Sequence, residues 1–286
     1  MEISDEQIAR FQDDGFLILE SILTTTQVDS LLAAMDRLRE GICTRDIRPP
    51  AQRTPPVMPV GEESTFLFYF NARVIDGEVW NIATDSNLGR AAALLLQTPS
   101  VSLIEDQLLT KRPHGNPLKL HQDFSAYGFS TSTNTLSCWI ALADITEDLG
   151  PVECVRGSHR WGVTGSTVDL ELDKDDAEGY LATAKQIIPP GINLDYVPAL
   201  VPRGGGVFFH GLTLHGSRPN LTDRARPAAT FHWAAADCRI DRKKLIGYGQ
   251  PYLFNGLSQG DPLVNKYLPR VYSLQTNSQE AEFNRL

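Results

Sequence analysis

Near residue 100 the apolar positions of this chain change their period. Before it, Val28, Leu31, Leu32, Met35 and Leu38 recur at three- and four-residue spacing behind Thr24-Thr25-Thr26-Gln27. That spacing places one apolar stripe on an amphipathic helix with a cap at its start. Ser4-Asp5-Glu6-Gln7 offers another cap, and Ile8 and Phe11 lead from it to a short apolar strand over Phe16–Leu19. Residues 43–60 are rich in Pro and Arg, show no period and read as a long loop, and a further helix is expected at roughly 87–96. Beyond residue 100, short β-rich runs take over at 101–104, 107–110, 136–142, 152–155, 207–209 and 229–233. Many short strands with turn punctuation predict a β-sandwich or jelly roll and argue against a parallel βαβ sheet. A polar, acidic insertion at 162–200, helical near 175–187, interrupts these runs and is expected to cover the barrel mouth as a lid. The expected organisation is one domain over 1–286: helical support at 1–99, a jelly-roll core at about 100–235, and a tail at 236–286 too aromatic to be disordered.

Composition adjusts this picture only at its edges. A chain of 286 residues with 42% hydrophobic and 21% charged positions suits a globular unit with a substantial core. Its net charge of −9 argues against nucleic acid and anionic membrane surfaces as partners and leaves a small-molecule substrate as the expected one. Cys43, Cys138, Cys154 and Cys238 lie far apart with no CxxC pair, so reduced thiols and a cytoplasmic location are expected. The acidic start Met1-Glu2-Ile3-Ser4-Asp5-Glu6 lacks the apolar segment of a signal peptide. No stretch approaches the ~18 continuous apolar residues of a membrane span.

Candidate chemistry begins at His121-Gln122-Asp123. In a strand, positions i and i+2 share a face, so an imidazole and a carboxylate would point together into the sandwich interior. His215, at the end of the glycine-punctuated apolar run 204–215, is the candidate third ligand. Two histidines and one carboxylate form the facial triad of non-haem iron(II), with three positions left open. An HxD tripeptide alone is unspecific, since its plain alternative is a hydrogen-bonded core pair; the segment after His215 decides. 2-Oxoglutarate chelates iron through its keto and C1 carboxylate oxygens, and its C5 carboxylate needs a rigid, bidentate cation, which a guanidinium supplies. Arg226, a turn and a strand beyond His215, is that candidate. Ser217, two residues from His215, can donate a second hydrogen bond, while Arg224 is assigned to a surface ion pair. Gln107 and Lys119 lie on strands expected to approach the co-substrate or substrate. Tyr127 and Phe129 could line the substrate mouth or simply pack. Trp139 reads as core, His210 and His232 as core or supporting histidines, His159 as closing a turn and His114 as solvated.

In this order the residues resemble the phytanoyl-CoA dioxygenase family of iron(II)/2-oxoglutarate-dependent oxygenases. The resemblance takes in Phe11-Gln12-Asp13-Asp14-Gly15-Phe16, His121-Gln122-Asp123-Phe124, and Trp139 to Asp144. It continues through Gly150-Pro151, Arg156-Gly157-Ser158-His159, His215-Gly216-Ser217, Asn220, Arg226 and Phe231-His232. His215 and Arg226 stand eleven apart, as do the family's distal histidine and its 2-oxoglutarate arginine. The resemblance implies a mainly β double-stranded β-helix, a cupin-like jelly roll with peripheral α-helices. It also implies Fe(II) as cofactor, with 2-oxoglutarate and O₂ as co-substrates. The implied activity is that of a dioxygenase, an oxidoreductase that hydroxylates a C–H bond of a small organic substrate and releases succinate and CO₂. Halogenating relatives replace the carboxylate ligand by Ala or Gly, whereas this chain keeps Asp123. Secondary metabolism is the expected setting, because the family often serves such pathways and no Lys/Arg cluster marks a coenzyme A phosphate site. Two other classes fit less of the sequence: a cupin-type non-haem iron oxygenase independent of 2-oxoglutarate, and a catalytically silent jelly-roll binding protein.

Overall fold

The computed structural model describes residues 1–53, 65–126, 129–163, 191, 193–245 and 250–274. Its first elements are α1 (Asp5–Asp14), β1 (Phe16–Leu19), α2 (Thr25–Arg39), β2 (Phe66–Phe70), α3 (Gly77–Ala83) and α4 (Ser86–Leu95). The barrel strands follow: β3 (Ser100–Lys111), β4 (Leu118–His121), β5 (Thr135–Ala141), β6 (Val152–Val155), β7 (Tyr196–Pro198), β8 (Gly206–His210), β9 (His215–Ser217) and β10 (Arg226–Ala235). A helical turn, α5 (Asp123–Ala126), follows β4, and β11 (Arg270–Ser273) lies in the tail. Most of the insertion at 162–200, its expected helix, Tyr127 and Tyr248 lie outside the described residues, as do 54–64 and 275–286.

Both capped helices form as their sequences ask. Ser4 with Gln7, and Thr24 with Gln27, close reciprocal capping boxes that satisfy the first free backbone donors of α1 and α2. Val28, Leu31, Ala34, Met35 and Leu38 then make the buried stripe of α2. Among the described residues, no helix is long and apolar enough to cross a membrane.

The strands form two antiparallel sheets. The larger has the order β1-β8-β5-β10-β3-β11, with β2 also pairing β3; the smaller has the order β4-β9-β6-β7. Period-two alternation divides the side chains of the larger sheet between two apolar layers. Leu136, Cys138, Ile140, Phe208, Phe231 and Trp233 face outward and pack with the helices and tail. Trp139, Ala141, Val207, Phe209, Leu109 and Ala228 face inward and meet Val152 and Cys154 of the smaller sheet. This double-layered architecture is the expected jelly roll with peripheral helices. At Gly206 the backbone of β8 runs so close to β5 that a Cβ would stand 2.1 Å from the Trp139 carbonyl oxygen, which leaves room for glycine alone.

Two elements differ from expectation. The runs at 101–104 and 107–110 are one strand, β3, because the charged pair that separates them is accommodated within the sheet. Asp106 is fully buried against Arg73 at 2.6 Å, and a register shift at His232/Trp233 sets Glu105 opposite His232. Strand β2, whose aromatic run Phe66–Phe70 passed unread beside the Pro-rich loop, pairs with β3 from Lys111 to Gln107.

Candidate active site

The end of β4 carries His121, α5 opens with Asp123, and β9 opens with His215. Asp123 therefore is not on a strand with His121, as the i and i+2 argument required. The chain turns at buried Gln122, whose side-chain amide donates to the carbonyls of Gly162 and Leu212, both at 2.8 Å. The turn still brings the three residues together: one ligand atom from each lies within 4.8 Å of the others. Asp123 Oδ1 is 3.7 Å from His121 Nε2 and 3.5 Å from His215 Nε2. Ligands sharing a face of an octahedral ion, with bonds of about 2.1 Å, stand roughly 3 Å apart, close to these two spacings.

Backbone carbonyls fix both imidazoles for this role. His121 Nδ1 donates to Lys119 O at 2.8 Å and His215 Nδ1 to Thr213 O at 3.0 Å, which turns both Nε2 lone pairs toward Asp123. Burial, then the nearby His215, lowers the His121 pKa to about 4, so the ring is neutral and free to ligate. Burial alone would raise Asp123, but the surrounding imidazoles, His215 foremost, and the Ser137 hydroxyl hold it below the usual carboxylate range. Two imidazole nitrogens and one carboxylate oxygen make a donor set that suits iron(II).

From the triad a cavity runs between the sheets, lined by Gln107, Ser217, Arg226, Trp139 and Phe66 among others. Arg226 is 1% exposed. Its Nη1 donates to Gly150 O at 2.5 Å, its guanidinium lies 5.2 Å from the Trp139 ring centre, and its Nε has no hydrogen-bond partner among the described residues. Burial pulls its pKa down to about 9. Trp139 is thus more than core: it forms the aromatic bed of this cation. Ser217 also faces the cavity and accepts from Lys111 Nζ at 2.9 Å.

Lys111 went unread in the sequence, where Lys111-Arg112-Pro113 looks like the start of a turn. It is the last residue of β3 and fully buried, with its ammonium also donating to the Arg218 carbonyl. Ser137 and His232 stand behind Asp123, with Ser137 Oγ donating to Asp123 Oδ2 at 2.5 Å.

The remaining candidates separate cleanly. Gln107 lines the cavity and donates to Glu105 at 2.7 Å. Lys119 does not line it; its part is the carbonyl that holds His121. Phe129 packs edge-on against Phe254 at 4.7 Å, within the helical layer. His210 faces His159, with ring centres 5.9 Å apart. Exposed His114 bonds Asp223 at 2.8 Å, and Arg224 is a surface residue that donates to the Thr146 hydroxyl at 3.5 Å.

Comparison with known proteins agrees with this geometry. The family model Phytanoyl-CoA dioxygenase (PhyH) matches residues 11–228. Phytanoyl-CoA dioxygenase domain-containing protein 1 of Bos taurus is 26% identical over 266 residues, covering 80% of this chain and 89% of its own. Ectoine dioxygenase of Bordetella bronchiseptica is 26% identical over 232 residues, covering 77% of this chain and 71% of its own. Among solved structures, the non-haem α-ketoglutarate-dependent carbocyclase SnoK from nogalamycin biosynthesis superposes with a TM-score of 0.70 at 22% identity, over 94% of this chain and 96% of that one. EctD from S. alaskensis with 2-oxoglutarate and 5-hydroxyectoine gives 0.65 at 24% identity, over 91% of this chain and 85% of that one. With the family model spanning both histidine motifs and the arginine, the chain belongs to the phytanoyl-CoA dioxygenase family and is an iron(II)- and 2-oxoglutarate-dependent dioxygenase.

Proposed function

We propose that this dioxygenase hydroxylates a C–H bond of a small secondary metabolite, with iron(II) held by His121, Asp123 and His215 and 2-oxoglutarate anchored by Arg226. One observation carries the residue assignment. A single cavity holds a three-donor metal set and also a buried guanidinium with no carboxylate within ion-pair distance among the described residues. A dicarboxylic keto acid satisfies both features at once: it can chelate a metal at one end and neutralise the guanidinium at the other.

Iron with 2-oxoglutarate bound supplies the oxidising power: one O₂ is consumed, the keto acid leaves as succinate and CO₂, and C–H becomes C–OH. The chain's part is positioning. His121 and His215 would hold the ion through their Nε2 atoms, Asp123 would supply the negative charge, and Arg226, seated on Trp139, would set the depth of the keto acid. Ser217 and Gln107 face the same cavity and complete the polar contacts of the co-substrate. Phe66, Phe68 and Phe209 exclude water around it.

No Lys/Arg cluster in the sequence marks a coenzyme A phosphate site, which supports a compact organic substrate over an acyl-CoA. The net charge of −9 speaks against a nucleic-acid partner, and four free thiols support a cytoplasmic setting. Tail and N-terminal helices share one apolar layer with the barrel, which supports reading 1–286 as a single oxygenase domain. The deciding assay supplies the iron-loaded protein with 2-oxoglutarate, O₂ and candidate substrates and measures succinate. Substrate oxidation without succinate would favour the cupin-type oxygenase, and failure to retain iron would favour the silent binding protein.

A further inference from the structure

We propose that Ser137, oriented by His232, confines Asp123 to ligation through one oxygen and so keeps a coordination position open for the keto acid. The two oxygens of Asp123 have different surroundings. Oδ1 faces His121 and His215, whereas Oδ2 accepts from Ser137 Oγ at 2.5 Å. A hydroxyl carries a single proton. With that proton on Asp123, Ser137 Oγ can only accept at its second contact, so His232 Nδ1, 2.7 Å away, must be the donor. His232 Nδ1 also stands 3.5 Å from Asp123 Oδ2.

Ser137 and His232 are direct cross-strand partners on β5 and β10, 1% and 2% exposed. The larger sheet holds both, so rotation of the carboxylate toward the metal would lengthen or break the bond to the hydroxyl that engages Oδ2. Coordination arithmetic gives this a consequence. Three protein donors, a bidentate keto acid and O₂ fill an octahedral ion. A carboxylate ligating through both oxygens would make four protein donors, and the keto acid or O₂ would lose its place. The hydroxyl is therefore unnecessary for holding iron and necessary for leaving part of it open. Ser137 and His232 are positioning residues, since both act through Asp123.

The proposal rests on Asp123 being an iron ligand, which Asp123→Ala tests on its own by its loss of iron. The test proper uses the full chain without O₂. Fe(II) is titrated first and 2-oxoglutarate second, and the charge-transfer absorption of the chelated keto acid is followed. Ser137→Ala should bind iron as tightly as the unaltered protein or more tightly, where a group that merely supported the ligand would cost iron affinity, and should bind the keto acid at least about 10-fold more weakly. His232→Ala should shift keto-acid binding in the same direction by less. Ser137→Cys keeps the volume but is a weak donor, and covers the case in which Ser137→Ala does not fold. Keto-acid affinity and absorption unchanged in the folded Ser137 variant, or iron and keto acid lost in equal proportion, would overturn the proposal. Asp123→Ala retaining iron would instead remove the ligand assignment beneath it.

Discussion

Arg226 and Lys111 stand directly opposite each other where β10 pairs with β3, both buried and both facing the smaller sheet. Like charges at directly opposed positions repel, and burial weakens the solvent screening that would relieve them. Burial takes Arg226 down to about 9, and burial followed by the charge of Arg226 drops Lys111 well below its usual range. Among the described residues neither has a carboxylate within ion-pair distance. An anion bound beside Arg226 would relieve this repulsion.

Removing the guanidinium should accordingly expose what it holds. Loss of one partner from a buried charge pair costs about 2–5 kcal/mol, so Arg226→Ala should raise the 2-oxoglutarate requirement roughly thirty- to several-thousand-fold with iron content preserved. Arg224→Ala, on the surface, should leave that requirement unchanged. Initial rates against 2-oxoglutarate concentration measure both, and a larger effect at Arg224 would reassign the anchor.

The metal set makes a separate prediction. Replacing His121, Asp123 or His215 by Ala should abolish succinate production and iron retention while the chain still melts cooperatively, because each loses a donor from an otherwise packed barrel. Near-normal iron content in any one variant removes that residue from the set.

Lys111 should couple co-substrate binding to pH. Its pKa is depressed in the folded protein, so between that value and the unfolded value near 10.5 the unfolded chain binds more protons, and ligand-free stability rises with pH. A bound carboxylate favours the ammonium and raises its pKa again. Binding then takes up a proton, and 2-oxoglutarate affinity falls as pH rises through the window between the two values. Calorimetric titration in buffers of different ionisation enthalpy reads this uptake directly. Lys111→Met should abolish the uptake, and if the same uptake persists in that variant, another group is responsible.

Gly150 offers a test in the backbone. Its φ is +70°, and a Cβ there would stand 2.7 Å from the Arg218 carbonyl oxygen and 3.0 Å from that of Pro219. Its own carbonyl anchors Arg226. Gly150→Ala should destabilise the fold by more than about 1 kcal/mol and weaken 2-oxoglutarate binding as well, a pairing that thermal melts and co-substrate titrations together would reveal.

Sequence pattern reached most of the barrel because alternation there is strict. Leu136, Cys138 and Ile140 against Ser137, Trp139 and Ala141 separate an outer from an inner face without any coordinates. It reached the triad through residue type and order, although Asp123 took its place by a turn that an HxD motif does not announce. Pairing register was the missing information. Ser137 and His232 can each be assigned inward by alternation, but only the alignment of β5 with β10 shows that they touch and that both meet Asp123. Lys111 was hidden for the same reason: beside Arg112-Pro113 it reads as solvent-facing, and only the register shows it buried opposite Arg226 and bonded to Ser217.

The candidate metal donors belong to the smaller sheet and the turn after β4, whereas Arg226, Lys111, Ser137 and His232 belong to the larger sheet. On the proposed binding mode, a keto acid held by the ion at one end and Arg226 at the other would be a strut across the gap between two separately hydrogen-bonded walls. Its fit depends on how far apart and in what alignment those walls stand. Substitutions that shift one wall against the other, remote from every polar group named above, will register as poorer co-substrate occupancy well before the fold gives way.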